Sequence, residues 1–292
     1  MTSVRIAIVQ SGGCGPDKDQ NIARLSGLID EAAAGGTDLV VLPELATTPY
    51  FAATRDPRCY EWAETVPGPA TAVFAEAARR NDTAVIVGMY ERTEAGALYN
   101  SAVVIDRRGR IVPGVRPDGS TIPAYRKTFV PSVVTSDIDV DEKFYFSPGN
   151  GPCTFDVAGV RLGIVICYDR SFPELWQSLV RLGAEVIVPV VSSMGWREQR
   201  FVDELAIRAF ETQTWVVASN RAGKETHDGI TASFFGCSCV IDPTGEVVAR
   251  APAHSEPEFV RVTIDMAAVA RQRAYFPLGR DKRWELFERL PR

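Results

Sequence analysis

The sequence predicts an α/β fold in which helices cover the faces of β-sheets. Short runs of β-branched and other apolar residues alternate along the chain with segments whose apolar residues recur at helical spacing, and this alternation is typical of sheets covered by helices. Several predicted strands, such as residues 38–44, are apolar on both faces, which is typical of strands in the interior of a molecule. No low-complexity segment or long charged run divides the chain.

The first half of the chain contains predicted strands at residues 4–10, 38–44, 83–90 and 100–106 and predicted helices at about residues 19–34 and 69–80. In the first helix Leu25, Leu28 and Ile29 share one face. This helix is expected to end at Gly35, because glycine favours the conformation that stops a helix. Pro69 stands near the start of the second helix, where the missing proline N–H costs nothing.

The second half repeats this order, with strands at residues 153–157, 160–167, 184–191 and 214–220 and helices at about residues 173–182 and 198–212. Pro173 opens a helix shortly after the strand that ends at Cys167. Further strand and turn sequences follow, and a polar, arginine-rich tail begins near residue 266. We therefore expect one domain over residues 1–265 and a C-terminal extension over residues 266–292.

The composition excludes several classes of function. The 292 residues contain 32 Lys and Arg against 37 Asp and Glu, a formal net charge of −5. The cations form no cluster of the kind that binds a phosphate backbone. No run approaches the roughly 20 apolar residues that span a bilayer, and the N-terminus does not resemble a signal peptide. Six scattered cysteines differ from a disulfide framework. We expect a cytoplasmic protein with free thiols and with no nucleic-acid or membrane partner.

Four residues with reactive or polar side chains come at the ends of predicted strands: Glu44, Cys167, Ser192 and Asn220. In α/β sheets ligands gather beyond the carboxyl ends of the strands. The active site is therefore expected among these residues.

Cys167 is the most distinctive of them, because it ends a strand and precedes a turn that enters a helix. Such a corner projects its central side chain and leaves neighbouring backbone N–H groups free to bind an anion. The alternative is a small buried apolar residue, a common place for a free cysteine.

A thiol needs a base or a positive neighbour to form a thiolate at neutral pH. The two histidines, His227 and His254, lie in polar loops, so a Cys–His pair is possible but solvated surface histidines are the simpler interpretation. Cys237 and Cys239 alternate along one strand and have no companion pair at zinc-ligand spacing. No metal site is predicted.

Glu44 and Lys127 are candidates to activate the thiol. Glu44 ends an apolar strand and precedes an uncharged stretch, so it is either a desolvated carboxyl suited to proton transfer or a solvated loop glutamate. Lys127 lies between aromatic and apolar residues. A partly buried ammonium there would stabilise an oxyanion and raise the acidity of a thiol, and the alternative is an ordinary surface lysine.

Taken together, three segments resemble the nitrilase, or carbon–nitrogen hydrolase, superfamily, whose members use a Glu–Lys–Cys triad: VVLPEL around Glu44, YRKTFVP around Lys127 and GIVICYDRSFPE around Cys167. The resemblance continues through LYNSAVVID, EKFYFSPGN, GAEVIVPV, SNRAGKE and FFGCSCVIDPTGEV, which lie in the same order. It extends over the chain to about residue 265.

The resemblance implies a four-layer αββα sandwich with two sheets face to face and helices outside, and it implies no cofactor. It assigns Glu44 as the acid and base, Cys167 as the nucleophile, and Lys127 with the backbone N–H of Tyr168 as oxyanion donors. It also implies a second glutamate near the thiol, which is Glu142; the alternative for Glu142 is an exposed acid in a charged run.

The substrate class is predicted from Arg170, three residues after the nucleophile, which is similar to the arginine of N-carbamoyl amino acid amidohydrolases. A guanidinium pairs well with a substrate carboxylate, and the alternative is an ion pair with Asp169 or Glu174. EKFYFSPG and SNRAGKE are more similar to carbamoylputrescine amidases. We therefore expect an N-carbamoyl amino acid or amine as substrate, with Arg170 and Asn220 binding it.

An aliphatic or ω-amide amidase is the alternative activity, followed by a nitrilase or a non-catalytic scaffold. The resemblance also implies a homodimer or a larger homo-oligomer. The aromatic and arginine content of the C-terminal extension is typical of an interface; packing on its own domain is the alternative for this extension.

Overall fold

The computed structural model describes residues 3–134 and 138–287. Its strands are β1 (Ser3–Gln10), β2 (Leu39–Val41), β3 (Ala84–Arg92), β4 (Leu98–Ile105), β5 (Gly114–Val115), β6 (Thr121–Ile122), β7 (Tyr125–Arg126), β8 (Ser132–Val133), β9 (Val140–Asp141), β10 (Thr154–Val157), β11 (Val160–Ile166), β12 (Val186–Val191), β13 (Trp215–Asn220), β14 (Ala222–His227), β15 (Ile230–Phe235), β16 (Cys239–Ile241), β17 (Val247–Arg250) and β18 (Glu258–Asp265).

The α-helices are α1 (Lys18–Ala33), α2 (Pro69–Arg80), α3 (Pro173–Arg181), α4 (Glu198–Thr212), α5 (Ala267–Tyr275), α6 (Leu278–Asp281) and α7 (Trp284–Phe287). Four short 3₁₀ turns lie at Phe51–Ala53, Pro57–Trp62, Glu142–Phe144 and Cys167–Ser171. None of the helices in the described ranges is long and apolar enough to cross a membrane.

The longer strands form two large sheets. One sheet has the order β18-β1-β2-β3-β4-β7 and the other β17-β16-β13-β12-β11-β10-β5-β6. At the centre of each sheet three strands run parallel, β1, β2 and β3 in the first and β11, β12 and β13 in the second. The flanking strands are antiparallel. The carboxyl ends of the parallel strands therefore bring residues from distant parts of the chain to one edge of the molecule.

The core shows how the layers stack. One apolar cluster contains Ile8 and Ile86 of the first sheet together with Ile164 and Val188 of the second, so the two sheets pack face to face. The outer face of the first sheet packs on α1 and α2. The outer face of the second packs on α3 and α4. The predicted four-layer αββα sandwich is confirmed.

Two sequence-based expectations are corrected. The predicted strand at residues 38–44 is a regular strand only over Leu39–Val41. Leu42 still donates to the carbonyl of Ile86, but Pro43 has no N–H to donate and the chain turns after it. The polar region around His227, expected as a loop, forms a two-stranded hairpin of β14 and β15.

The C-terminal extension packs on the same chain as far as the structure describes it. Val269 of α5 joins the core between the sheets. The side chain of Gln213 donates hydrogen bonds to the carbonyls of Gln272 and Phe276. Residues 288–292 lie outside the described ranges, and the predicted role of the extension in an oligomer stays a prediction.

Candidate active site

Glu44 lies in the turn that follows β2. Its carbonyl oxygen accepts hydrogen bonds from Ser192 Oγ (3.0 Å) and Arg221 Nη2 (3.1 Å). The next residue, Leu45, has a φ of 45°, in the left-handed region, and its carbonyl also accepts from Arg221. The buried guanidinium thus holds a bend that a regular strand would not make, and Glu44 is fully buried at that bend.

Gly88 of β3 passes directly beside this bend. A Cβ at position 88 would lie 2.6 Å from Cα of Glu44 and 2.6 Å from the carbonyl oxygen of Pro43. Real Cβ atoms do not approach so closely, so glycine at 88 is what allows the backbone of Glu44 to sit against the strand.

Lys127 follows β7, and its ammonium joins two buried carboxylates. Its Nζ donates to Glu44 Oε1 (2.9 Å) and to Glu142 Oε1 and Oε2 (2.8 and 2.7 Å). Asn100 Nδ2 donates to the same oxygen of Glu44 (2.7 Å), and Tyr50 OH donates to Glu142 Oε1 (2.9 Å). The exposed fractions of Glu44, Glu142 and Lys127 are 0%, 0% and 1%, so none of them is the surface residue that each alternative proposed.

The charges in this group offset one another. Burial alone would lower the pKa of Lys127, but the charges of Glu142 and Glu44 outweigh it and raise that pKa above its usual range, so the ammonium stays charged. Burial raises the pKa of Glu142, and the charge of Lys127 opposes that rise.

Cys167 begins the 3₁₀ turn Cys167–Ser171 directly after β11. Its φ is 45°, a left-handed conformation that residues other than glycine seldom adopt. Its Sγ lies 3.9 Å from Ser193 Oγ and 3.7 Å from Arg170 Nη1. Backbone strain of this kind is common at functional sites.

The thiol of Cys167 has a pKa above its usual range. Burial is the largest cause, the charge of Glu44 adds to it, and Lys127 and Arg170 oppose it. The resting side chain at neutral pH is therefore the thiol, and forming the nucleophilic thiolate needs a base.

The buried carboxylate of Asp169 holds the 3₁₀ turn Cys167–Ser171 in place through three hydrogen bonds. Its carboxylate accepts from the backbone N–H of Ile166 (3.0 Å) and of Phe129 (2.8 Å) and from Tyr125 OH (2.7 Å). Burial raises the pKa of Asp169 to about 6, although these hydrogen bonds oppose the rise. Asp169 thus ties the turn that carries Cys167 to the segment that carries Lys127.

A cavity of about 460 Å³ opens in front of these groups. Its lining combines polar groups with apolar side chains: Tyr50, Pro131, Val133, Val134, Ile138, Val140, Glu142, Cys167, Tyr168, Arg170, Ser171, Ser192, Ser193, Met194, Gly195, Trp196 and Arg197. The volume and the mixed lining suit a small organic molecule.

Arg170 lies on this cavity and is 7% exposed. Its Nε donates to Glu204 Oε2 (2.9 Å) and its Nη1 to the carbonyl of Cys167 (2.9 Å). The ion pair considered as an alternative therefore exists, but its acid is Glu204 and not Asp169 or Glu174.

Asn220 is fully buried beside the loop that follows β12. Its Oδ1 accepts from the backbone N–H of Ser193 (2.9 Å), and its Nδ2 donates to the carbonyl of Gly236 (2.6 Å). Its side chain fixes the backbone of a cavity residue, and Asn220 is not among the described residues that line the cavity.

Three residues of this group were not predicted from the sequence as site residues: Tyr50, Asn100 and Arg221. Asn100 was detectable, because it stands in the LYNSAVVID segment that resembles the superfamily. Arg221 was detectable in the same way, because it stands in the SNRAGKE segment. Tyr50 lies in none of these segments, and its hydrogen bond to Glu142 joins residues 92 positions apart.

Residues 5–274 match the family model described as carbon-nitrogen hydrolase. The chain belongs to this family. Among similar proteins, the citrullinase of Francisella tularensis subsp. tularensis is 30% identical over 100% of this chain and 99% of its own length. The omega-amidase NIT2 of Homo sapiens is 32% identical to this hydrolase over 98% of both chains.

Solved structures support the same assignment. The crystal structure of a carbon-nitrogen hydrolase from Helicobacter pylori G27 superposes on this hydrolase with a TM-score of 0.87. The sequence identity of the pair is 25%, and the match covers 98% of this chain and 97% of the other.

Proposed function

We propose that this hydrolase is an amidase that releases ammonia from a terminal carboxamide of a small molecule bearing a carboxylate. The observation that carries the proposal is the buried ammonium of Lys127 between Glu44 and Glu142, beside a cavity that Cys167 lines. The human relative is named an omega-amidase. This favours the amidase alternative over the N-carbamoyl amino acid substrate expected from Arg170.

In the proposed reaction Glu44 is the general base. Its Oε1 accepts from Lys127 and Asn100, whereas its buried Oε2 accepts no hydrogen bond from any residue in the described ranges. A buried carboxylate oxygen without a donor costs free energy, so its presence calls for an explanation, and a catalytic role is one. We assign to Oε2 the proton of the Cys167 thiol.

The thiolate of Cys167 then attacks the carbonyl carbon. Glu44 returns the proton to the nitrogen, the C–N bond breaks, and ammonia leaves while the acyl group stays on sulfur as a thioester. A water molecule, losing a proton to Glu44, attacks the thioester and releases the acid. The proton held by Glu44 returns to the sulfur, which restores the thiol.

Negative charge develops on the carbonyl oxygen in both steps. Lys127 and the backbone N–H of Tyr168 are the proposed donors to this oxygen. An N–H in the first turn of a helix has no intrahelical partner, and a fixed ammonium in a dry site stabilises such a charge more than water does. Glu142 holds the ammonium of Lys127 in position. Each step uses groups of this chain alone, so no cofactor forms part of the proposal.

A ureido group is the second candidate for the group cleaved. The citrullinase relative matches the whole chain, and citrulline ends in a ureido group, –NH–CO–NH₂. The same attack would release ammonia and leave a thiocarbamate, whose hydrolysis gives an amine and carbon dioxide. The N-carbamoyl amino acids expected from the sequence belong to this class.

Ammonia release tests the proposal on matched substrates. The set contains a five-carbon dicarboxylic acid monoamide, the methyl ester of that monoamide, citrulline, an N-carbamoyl amino acid and a simple nitrile. We expect the acidic monoamide to be turned over fastest and Cys167→Ala to abolish turnover without a change in the circular dichroism spectrum. Faster turnover of either ureide would select the second candidate, and turnover of the nitrile alone would refute both.

A further inference from the structure

A second group of reactive side chains lies outside the cavity lining. One ligand atom each of Asp56, Cys59 and His227 lies within 4.8 Å of the other two. Cys59 Sγ and His227 Nε2 are 3.4 Å apart. The amidase reaction proposed above uses none of these residues.

The spacing of the two atoms matches that of two ligands on one tetrahedral metal ion. With Zn–S near 2.3 Å and Zn–N near 2.0 Å, tetrahedral geometry puts the sulfur and nitrogen roughly 3.5 Å apart. A thiolate, an imidazole and a carboxylate are also the three ligand types that zinc prefers. We propose that Asp56, Cys59 and His227 bind one zinc ion, or a divalent cation of similar softness, with water as the fourth ligand.

Sequence spacing predicted no metal site, because the ligands come from two distant segments. Asp56 and Cys59 belong to the loop and 3₁₀ turn Pro57–Trp62, and His227 ends β14 of the hairpin. A bound cation would join the turn to the hairpin, which touch here through Trp62 and His227, with ring centroids 5.2 Å apart.

The surroundings of the three ligands allow a metal to enter. Cys59 is 1% exposed, whereas Asp56 and His227 are partly exposed, so a metal would reach the thiol from their side and take the place of its proton. Both carboxylate oxygens of Asp56 accept from Arg58 Nε (2.9 Å each), and the Asp56 side chain is 11% exposed, against 79% for that of Arg58. The solvent-exposed arginine can move aside, and each carboxylate oxygen has a second lone pair for another partner.

Cobalt(II) is the probe, because it takes the place of zinc and its bond to a thiolate produces a near-ultraviolet charge-transfer band. The full-length protein is stripped with a chelator and titrated with Co²⁺, and Zn²⁺ is then added to displace the cobalt. We expect one Co²⁺ per chain with a thiolate band, and Cys59→Ser to remove that band.

The two histidines provide a matched pair of variants. His227→Ala should weaken Co²⁺ binding by at least about tenfold, since even loss of an outer partner of a metal ligand costs 10–100-fold. His254→Ala should leave binding unchanged, because His254 faces solvent and pairs with Glu198. Both histidines are partly exposed, so this comparison remains available if Cys59→Ser does not fold.

Three results would overturn the proposal. Equal affinities in the two histidine variants would exclude His227 as a ligand. A band that survives Cys59→Ser and is lost in Cys167→Ser would place the metal on the cavity thiol. Absence of the band at millimolar Co²⁺ would exclude a thiolate site. None of these results depends on amidase activity, so the metal site and the proposed function can fail separately.

Discussion

Glu44 binds with one carboxylate oxygen and leaves the other unpaired. Oε1 is fixed by an amide and an ammonium, which hold the side chain in one orientation. Oε2 receives no donor from the described residues. Oε1 thus fixes the orientation of the carboxyl group, and Oε2 is available to accept a proton. A general base that repeatedly takes and returns a proton requires both.

Glu44→Gln should lower kcat on the order of 10³-fold, since the loss of a general base costs roughly 10²–10⁴-fold. It should also lower the pKa of Cys167, because the charge of Glu44 helps to raise it. Ammonia release measures the first effect, and the pH midpoint of iodoacetamide labelling of Cys167, followed by peptide mass spectrometry, measures the second. Glu94→Gln, on an exposed loop, is the control. A midpoint that moves to higher pH would contradict the assignment.

Arg197 is a candidate for recognition of a substrate carboxylate. It lines the cavity and is exposed, and no acidic side chain in the described part of the chain pairs with it. Arg170, in contrast, is already bound to Glu204.

Arg197→Gln should raise KM for the acidic monoamide about tenfold or more, since hydrogen bonds to charged groups contribute roughly 1.5–3 kcal/mol, and leave KM for its methyl ester unchanged. Arg200→Gln, at an exposed arginine in the first turn of α4, should change neither value. Equal increases for the acid and the ester would exclude the charge interaction, and a larger effect of Arg170→Ala on the acid alone would restore the original assignment to Arg170.

At the scale of elements, the close passage of β3 beside the Glu44 turn depends on Gly88. Gly88→Ala should lower the free energy of unfolding by about 1–3 kcal/mol through overpacking, and it should reduce kcat because Glu44 must shift. Thermal unfolding and ammonia release measure the two effects.

Gly27→Ala is the control for this substitution. Gly27 lies within α1 with open space where its Cβ would be, so alanine there should stabilise the protein by about 0.5–1 kcal/mol. If Gly88→Ala raised the free energy of unfolding as Gly27→Ala does, the close approach of β3 to Glu44 would not require glycine.

The elements were predictable to the extent that local pattern determines them. Helices α2 and α4 were predicted at their observed bounds, because Pro69 and the apolar spacing of residues 198–212 are local signals. The early end of β2 and the hairpin around His227 were not predicted. Both depend on hydrogen bonds to residues distant in sequence, such as the bond that Arg221 donates to the carbonyl of Glu44. The apolar and aromatic neighbours of Lys127 allowed a partly buried ammonium to be predicted, but its direct pairing with both Glu44 and Glu142 was not, since nothing local to a lysine identifies its ion-pair partners.

At the scale of the molecule, the predicted homo-oligomer remains to be tested. Tyr275 at the end of α5 is 87% exposed, and Phe276 and Leu286 are also exposed. Phe276 stacks on the exposed Phe210 of α4, and adjoining exposed apolar side chains are typical of an interface. Tyr275→Arg should shift the mass measured by light scattering toward the monomer. The control Val73→Arg, at an exposed apolar side chain on α2, should not. A wild-type mass of one chain would exclude the oligomer.

The reacting groups proposed for this hydrolase are carried by different sheets. Glu44 and Lys127 follow β2 and β7 of one sheet, and Cys167 follows β11 of the other. In the proposed reaction the thiol of Cys167 and the carboxylate of Glu44 therefore exchange a proton across the interface between the two sheets. A shift of one sheet relative to the other would separate these two groups while every strand remained intact. On heating, turnover should therefore be lost at a lower temperature than secondary structure.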